Sequence, residues 1–234
     1  NGTLYYYAAF AYNTDGVASE GAFTSATPMA GTPLGSLAEG TLIKIQENGA
    51  PVEFYVAKQD YEEALNGNGR VLCVRKDCYN QQAWNTGDRA EWATSTLLTW
   101  LTTGYYGLFS NAVRQLIGTT AYYYTPGYEI EVSTRSDSVF LLSLTEYGFS
   151  VDNANVEGSP LPIASVIRPS YLNGNLTSHW TRSPRTDVTY MSFLLVDNWS
   201  SPSTSNCTLL RSVRPCFTLP STALVDQDLN LIET

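Results

Sequence analysis

Histidine is almost missing from this chain: His179 is the only one. That removes the common routes to acid–base and nucleophilic catalysis at neutral pH, which rely on an imidazole poised between two protonation states. A lone His beside Trp180 reads as a packed or surface ring. Charge is scarce as well, at 15% of residues, and acidic in balance, with a net charge of −9. Phosphate backbones are held by Lys and Arg, so this balance argues against nucleic-acid binding. No stretch approaches the roughly eighteen apolar residues of a membrane span, and no membrane insertion is expected. The four cysteines lack the Cys-x-x-Cys knuckles of a zinc site, Cys73 and Cys78 being five apart and Cys207 and Cys216 nine apart. No Gly-rich phosphate loop follows a strand and opens a helix. Carboxylates that neighbour one another, Glu62 with Glu63 and Glu129 with Glu131, are not brought to one cleft by any pattern and read as solvated faces. The chain is therefore expected to be no enzyme and to hold neither cofactor nor metal.

What is present is a core and a punctuated chain. Hydrophobic residues make up 43%, enough for a globular protein and too many for a disordered one. Residues 1–33 form a unit of their own. Thr3 to Tyr12 alternates aromatic and small residues, Asn13-Thr14-Asp15-Gly16 turns, and a second strand-like run ends at Ala26-Thr27-Pro28. Gly31, Pro33 and Gly35 then mark a linker. A second unit, residues 34–234, opens with a hairpin: Ile43 and Ile45 alternate with polar residues, Asn48-Gly49 turns, and Val52, Phe54 and Val56 alternate on the return. Val71 to Val74 reads as a further strand. Two helices follow, one capped by Ser95 and burying Leu97, Leu98 and Leu101. The other places Phe109, Ala112, Val113, Leu116 and Ile117 on one face before Gly118. Val139 to Leu144 suits a buried strand, with Glu146 at its exit, and residues 150–178 are loop-rich.

The last quarter carries the most information. Trp180-Thr181-Arg182-Ser183-Pro184 is answered by Ser212-Val213-Arg214-Pro215-Cys216, and between them lies a run rich in Tyr, Ser, Thr, Asn and Asp, the composition of a recognition surface held by rigid segments. Residues 168–214 carry five arginines against Asp187 and Asp197, which leaves −12 for the remainder. Such a face could attract acidic glycans, but arginines tying loops together through carbonyls is the favoured reading. Arg182 and Arg214 are expected to be structural. Cys207 and Cys216 could pair across a loop, or all four cysteines could pack as small apolar groups; both stay open.

Two resemblances attach to these residues. The pattern of Thr3 to Pro28 resembles the last hairpin of a fibronectin type III domain, which implies that the rest of that sandwich lies upstream. Trp92 to Leu101, Val139 to Leu144 with Glu146, the Trp180–Pro184 segment and Val213-Arg214-Pro215 together resemble the C-type-lectin fold in its bacterial and phage form. That form is similar to retroelement-diversified ligand-binding proteins and, distantly, to formylglycine-generating enzymes. The resemblance implies an α+β fold with two helices, a small antiparallel sheet and long loops. It departs from the enzymes, because no cysteine constellation accompanies Trp180 or Arg214. It departs from calcium-dependent lectins too, because Asp197-Asn198-Trp199 runs in the wrong order and has no partner tripeptide.

On this resemblance the binding face is Thr181, Arg185, Asp187, Tyr190, Asp197, Asn198, Trp199 and Ser203. Trp199, Tyr190 and Arg185 have the chemistry of binding anchors, and the small polar residues that of adaptable contacts. The expected role is adhesion of a phage tail-associated or bacterial surface protein to a bacterial cell-surface protein or glycan, with the chain a homo-oligomer within a larger assembly. The rival expectation is a structural virion subunit without receptor contact. With neither calcium tripeptides nor cysteine knuckles, folding is expected to survive chelation: melting curves with and without EDTA should superimpose, and a lower melting temperature in EDTA would reveal a bound ion.

Overall fold

In the computed structural model, residues 5–12, 14–15, 22–26, 31–128, 130–195 and 202–233 are described. Strands β1 (Tyr5–Ala9) and β2 (Ala22–Ala26) pair antiparallel. The second unit runs β3 (Thr32–Pro33), β4 (Leu42–Glu47), β5 (Ala50–Lys58), α1 (Glu63–Asn66), β6 (Arg70–Arg75) and β7 (Asn80–Ala83). After α2 (Thr96–Trp100) and α3 (Asn111–Leu116) come β8 (Thr120–Tyr124), β9 (Ser133–Asp137), α4 (Ala164–Ile167), β10 (Tyr171–Leu172) and β11 (Asn175–Leu176). The chain ends with β12 (His179–Pro184), β13 (Met191–Leu195), β14 (Pro202–Asn206), β15 (Leu210–Val213), β16 (Cys216–Pro220) and β17 (Leu224–Val225). Two sheets dominate, a five-stranded one in the order β14-β13-β12-β15-β7 and a four-stranded one in the order β16-β6-β5-β4. One core joins them, with Phe54, Phe109 and Phe217 in mutual ring contact.

The hairpin is as read. Its turn residues Asn48 and Gly49 have φ of 52° and 76°. Two successive positive φ values give the type I′ turn, whose twist matches the strands it joins. Ile43, Ile45, Phe54 and Val56 are buried. The four-stranded sheet then adds β6 to β5, so the strand expected at Val71 to Val74 is found, two residues longer.

The expected α+β, C-type-lectin-like architecture is corrected by the structure, which is β-rich: 37% strand against 16% helix, in several small sheets, one curled into a half-barrel. The helices are real but short. Ser95 and Ser110 each accept a bond from the backbone N–H three residues on, at 3.1 Å, as N-caps should. Beyond Trp100 the first helix loosens into a π turn at Leu101–Tyr105 and a 3₁₀ turn at Tyr106–Leu108. The cause lies in its threonines. Thr99, Thr102 and Thr103 return their hydroxyls to carbonyls one turn back, a competition that bends and ends helices. The Val139–Leu144 segment is likewise a correction: it is buried, but only Phe140 is bridged, to Cys216. It acts as a strap, Leu142 O accepting from Arg182 N at 3.0 Å.

The two large sheets are stitched where the chain passes between them, at residues 76–79 from β6 to β7 and at Arg214-Pro215 from β15 to β16. Arg214 clamps both passages. Its Nε donates to Arg75 O at 2.7 Å and its Nη2 to Lys76 O at 2.6 Å, while Nη1 reaches Ile167 O and, at 3.3 Å, Pro169 O. With only 1% of its surface exposed, it leaves these carbonyls no water to replace it. Arg214→Ala should therefore cost about 3 kcal/mol or more in urea denaturation, with Arg214→Lys recovering only part because a point charge lacks the guanidinium fork.

Candidate functional site

Below the loops lies a buried polar frame built on β12, all six of whose residues are buried. Arg182 Nη1 donates to Glu146 Oε2 at 2.6 Å and to Leu141 O at 2.7 Å, and Nε donates to Tyr123 O at 2.9 Å. Its guanidinium lies over the Tyr122 ring, 4.9 Å from the centroid. Glu146 also accepts from Tyr61 OH at 2.5 Å and from Ser143 N at 2.7 Å, while its own N–H donates to Ser143 Oγ at 3.1 Å. This Ser-x-x-Glu exchange is the reciprocal bonding of a capping box, here closing the turn after the Val139–Leu144 strap. Glu157 holds the next loop, accepting from Thr125 N at 2.6 Å and from Ser183 Oγ at 2.5 Å. Burial pushes the Glu157 carboxyl above the usual carboxylate range and, with Glu146 beside it, the Tyr61 hydroxyl well above its own.

On this frame rests a continuous loop face at one end of the five-stranded sheet. Ala90 N donates to Thr189 O, Cys207 N to Tyr190 O and Asn85 N to Cys207 O, joining residues 85–91, 185–190 and 206–210. Thr186 N donates to Asn153 O and Asn155 Nδ2 to Ile130 O, adding residues 127–132 and 151–159. Exposed apolar side chains gather here: Tyr128, Ile130, Val156, Tyr190, Leu209 and Leu210, of which Val156 is 66% exposed. Between the last two loops lies a depression of about 360 Å³ lined by Ile130, Glu131, Asn155 and Thr186.

The expected site residues separate on the structure. Thr181 leaves the surface altogether: it is fully buried and its hydroxyl donates to Phe193 O at 2.9 Å. Arg185, Asp187 and Tyr190 sit on the loop face, the first two forming a two-pronged ion pair. Ser203 is exposed on β14 opposite Leu194, about 13 Å along the sheet from Tyr190 at strand spacing. Asp197, Asn198 and Trp199 lie outside the described residues. The loops at 127–132 and 151–159 were not read as part of the face. Gly127 and Gly158 punctuate them, but no pattern ties them to β13.

All four cysteines are free and buried, and Cys207 and Cys216 lie beside different sheets. Among the described residues no group of three His, Cys, Asp or Glu is placed to hold a metal ion, and no helix is long and apolar enough to cross a membrane. His179 is packed between Ser170 Oγ, 2.7 Å from Nδ1, and Tyr147 OH, 3.0 Å from Nε2. Burial, with Arg214 adding repulsion, holds its pKa well below the usual imidazole range. The unfolded chain therefore takes up a proton near pH ~6.5 that the folded chain refuses, so this contribution to stability is complete above that pH and lost below it. Between pH 7 and 5 the melting temperature should fall less in His179→Gln than in the parent protein; parallel curves would show that the ring titrates freely.

Against known proteins, the profile of the family described as Domain of unknown function (DUF6273) matches residues 68–221. No curated protein and no solved structure matches the chain. The matched span runs from just before β6 to just after β16 and holds Arg182, Glu146, Glu157, Arg214 and the whole loop face.

Proposed function

We propose that this chain, which belongs to the DUF6273 family, is a recognition module that adheres through its loop face to a protein or glycan of a bacterial cell surface, carried on a phage tail or a bacterial surface protein. The observation that carries the reading is the occurrence of exposed apolar and aromatic residues on loops that hydrogen bonds join to one another. Scattered surface hydrophobics are ordinary. Six of them on hydrogen-bonded neighbouring loops suit an interaction site. Rigidity matters to affinity as much as the apolar groups do, because loops already tied to one another by hydrogen bonds, and at 151–159 by Glu157, lose little freedom on binding. Tyr190 contributes a rigid amphipathic ring of the kind that anchors interfaces, and the Arg185–Asp187 pair a polar rim.

The test is adsorption of the tagged protein to a panel of bacterial cells, parent against Tyr190→Ser combined with Leu209→Ser. Tyr190 is 41% and Leu209 47% exposed, so melting should change little, while adsorption should fall by roughly tenfold or more, as for anchor residues worth about 2 kcal/mol. Unchanged adsorption would move recognition off this face. Unchanged adsorption together with lost self-association would assign the face to packing between subunits, as in a structural virion component.

A further inference from the structure

Glu62 is nine-tenths buried and pairs with Lys58 Nζ at 3.8 Å, an ion pair too long for a hydrogen bond, so that its Oε1 has no hydrogen-bond donor. Its backbone is held at φ 47°, ψ 57°, a left-handed conformation that a glutamate seldom adopts. Facing it is Gly158, itself at φ 84°, where an added Cβ would meet Glu62 Oε1 at 3.0 Å. Glycine suits this position for its own positive φ, and its bare Cα leaves the carboxylate uncrowded. Over the pair opens a depression of about 460 Å³ whose lining includes Ala64, Tyr123, Val132 and Val156. The chemistry is that of a largely apolar depression with one weakly paired negative group in its lining.

We propose that this depression binds a primary ammonium group carried on a short aliphatic stem, the ammonium donating to the Glu62 carboxylate and the stem lying along Val132 and Val156. A buried carboxylate whose one cation, Lys58, stays beyond hydrogen-bond distance rejects anions and gains little from a neutral ligand, whereas an ammonium within bonding distance compensates it directly. A hard metal ion would ask for several oxygen ligands, and among the described residues no such group is assembled. An alkylammonium satisfies both parts of the recess, its methylenes covering apolar surface while its head meets the charge. The volume falls within the range of small-ligand sites. Burial also holds the Glu62 carboxyl above its usual range although Lys58 pulls it down, so the single ion pair does not offset the cost of burying the charge. Val156 belongs to the loop face as well, but the pocket stands whether or not that face is the adhesive one.

Backbone amide shifts followed during titration with cadaverine, with lysine methylamide acetylated at its α-amine, and with 1-pentanol test this directly. The two ammonium probes should give saturable shifts confined to residues near Glu62 and Gly158, and 1-pentanol none. Glu62→Gln should weaken the response about tenfold or more, a loss of about one charge-assisted bond. Ala64→Trp, made at an exposed position on the rim, should block it with the fold unchanged. A tighter response to the lysine derivative identifies a protein side chain as the ligand, and one to cadaverine a free amine; either supports the site. Equal shifts from 1-pentanol, parent-like binding by Glu62→Gln, or shifts spread over the acidic surface would overturn it.

Discussion

The pairing of Arg182 with Glu146, both wholly removed from water, is the constraint on which the loop side of this protein depends. Taking two charges into the interior costs several kcal/mol each, and their attraction offsets that only where every other valence is used. Here most are. Glu146 receives bonds from Tyr61 and Ser143 besides Arg182, and Arg182 reaches two carbonyls in addition. The net contribution to stability is small, but removal of either partner would strand the other at a cost of about 3–5 kcal/mol. The pair therefore acts less as glue than as a rule for where the chain must go. Residues 61, 123, 141–146 and 182 have one arrangement that satisfies both charges, and loops that hang from those points inherit it.

Arg214 applies the same rule where the chain passes between the two large sheets. Its guanidinium serves carbonyls on β6, on the segment after β6 and on the α4 exit. A β-rich chain made of several small sheets has few long ladders to fix their relative placement. A buried guanidinium with five donors, set where the chain passes between sheets, supplies that placement in a single residue. The result is a core whose sheets are fixed relative to one another, from which loops can vary without disturbing it.

Part of this was legible beforehand, for reasons that are local. Asn48-Gly49 dictates its own turn geometry, Ser95 caps by reach alone, and alternation at Ile43, Ile45, Phe54 and Val56 follows from a sheet with one buried face. Arg182 and Arg214 could be read as framework because Arg between strand formers and Pro has few other uses. The failures are non-local. Helix length was decided by threonine hydroxyls returning to carbonyls, which apolar periodicity does not register. Thr181 was misplaced on the surface because β12 is buried on both faces, so the rule that polar strand residues point outward does not hold there. Glu157 gave no signal at all: a single acid in a Gly- and Asn-rich loop looks solvated until Thr125 and Ser183 arrive from distant positions.

The arginine-rich stretch shows how burial changes a functional expectation. Five arginines against two aspartates between residues 168 and 214 would make a basic face if all were free. Arg168 instead donates to Tyr147 O and lies over Phe149, Arg182 and Arg214 are buried, and Arg185 is neutralised by Asp187. Arg211 is left donating to Leu210 O at the surface. Long-range attraction of a polyanion needs several unpaired cations on one face, and this stretch does not assemble them. Recognition through these loops must then rest on short-range apolar and aromatic contact, which favours a neutral glycan or a protein surface over an acidic polymer and predicts little dependence of binding on salt.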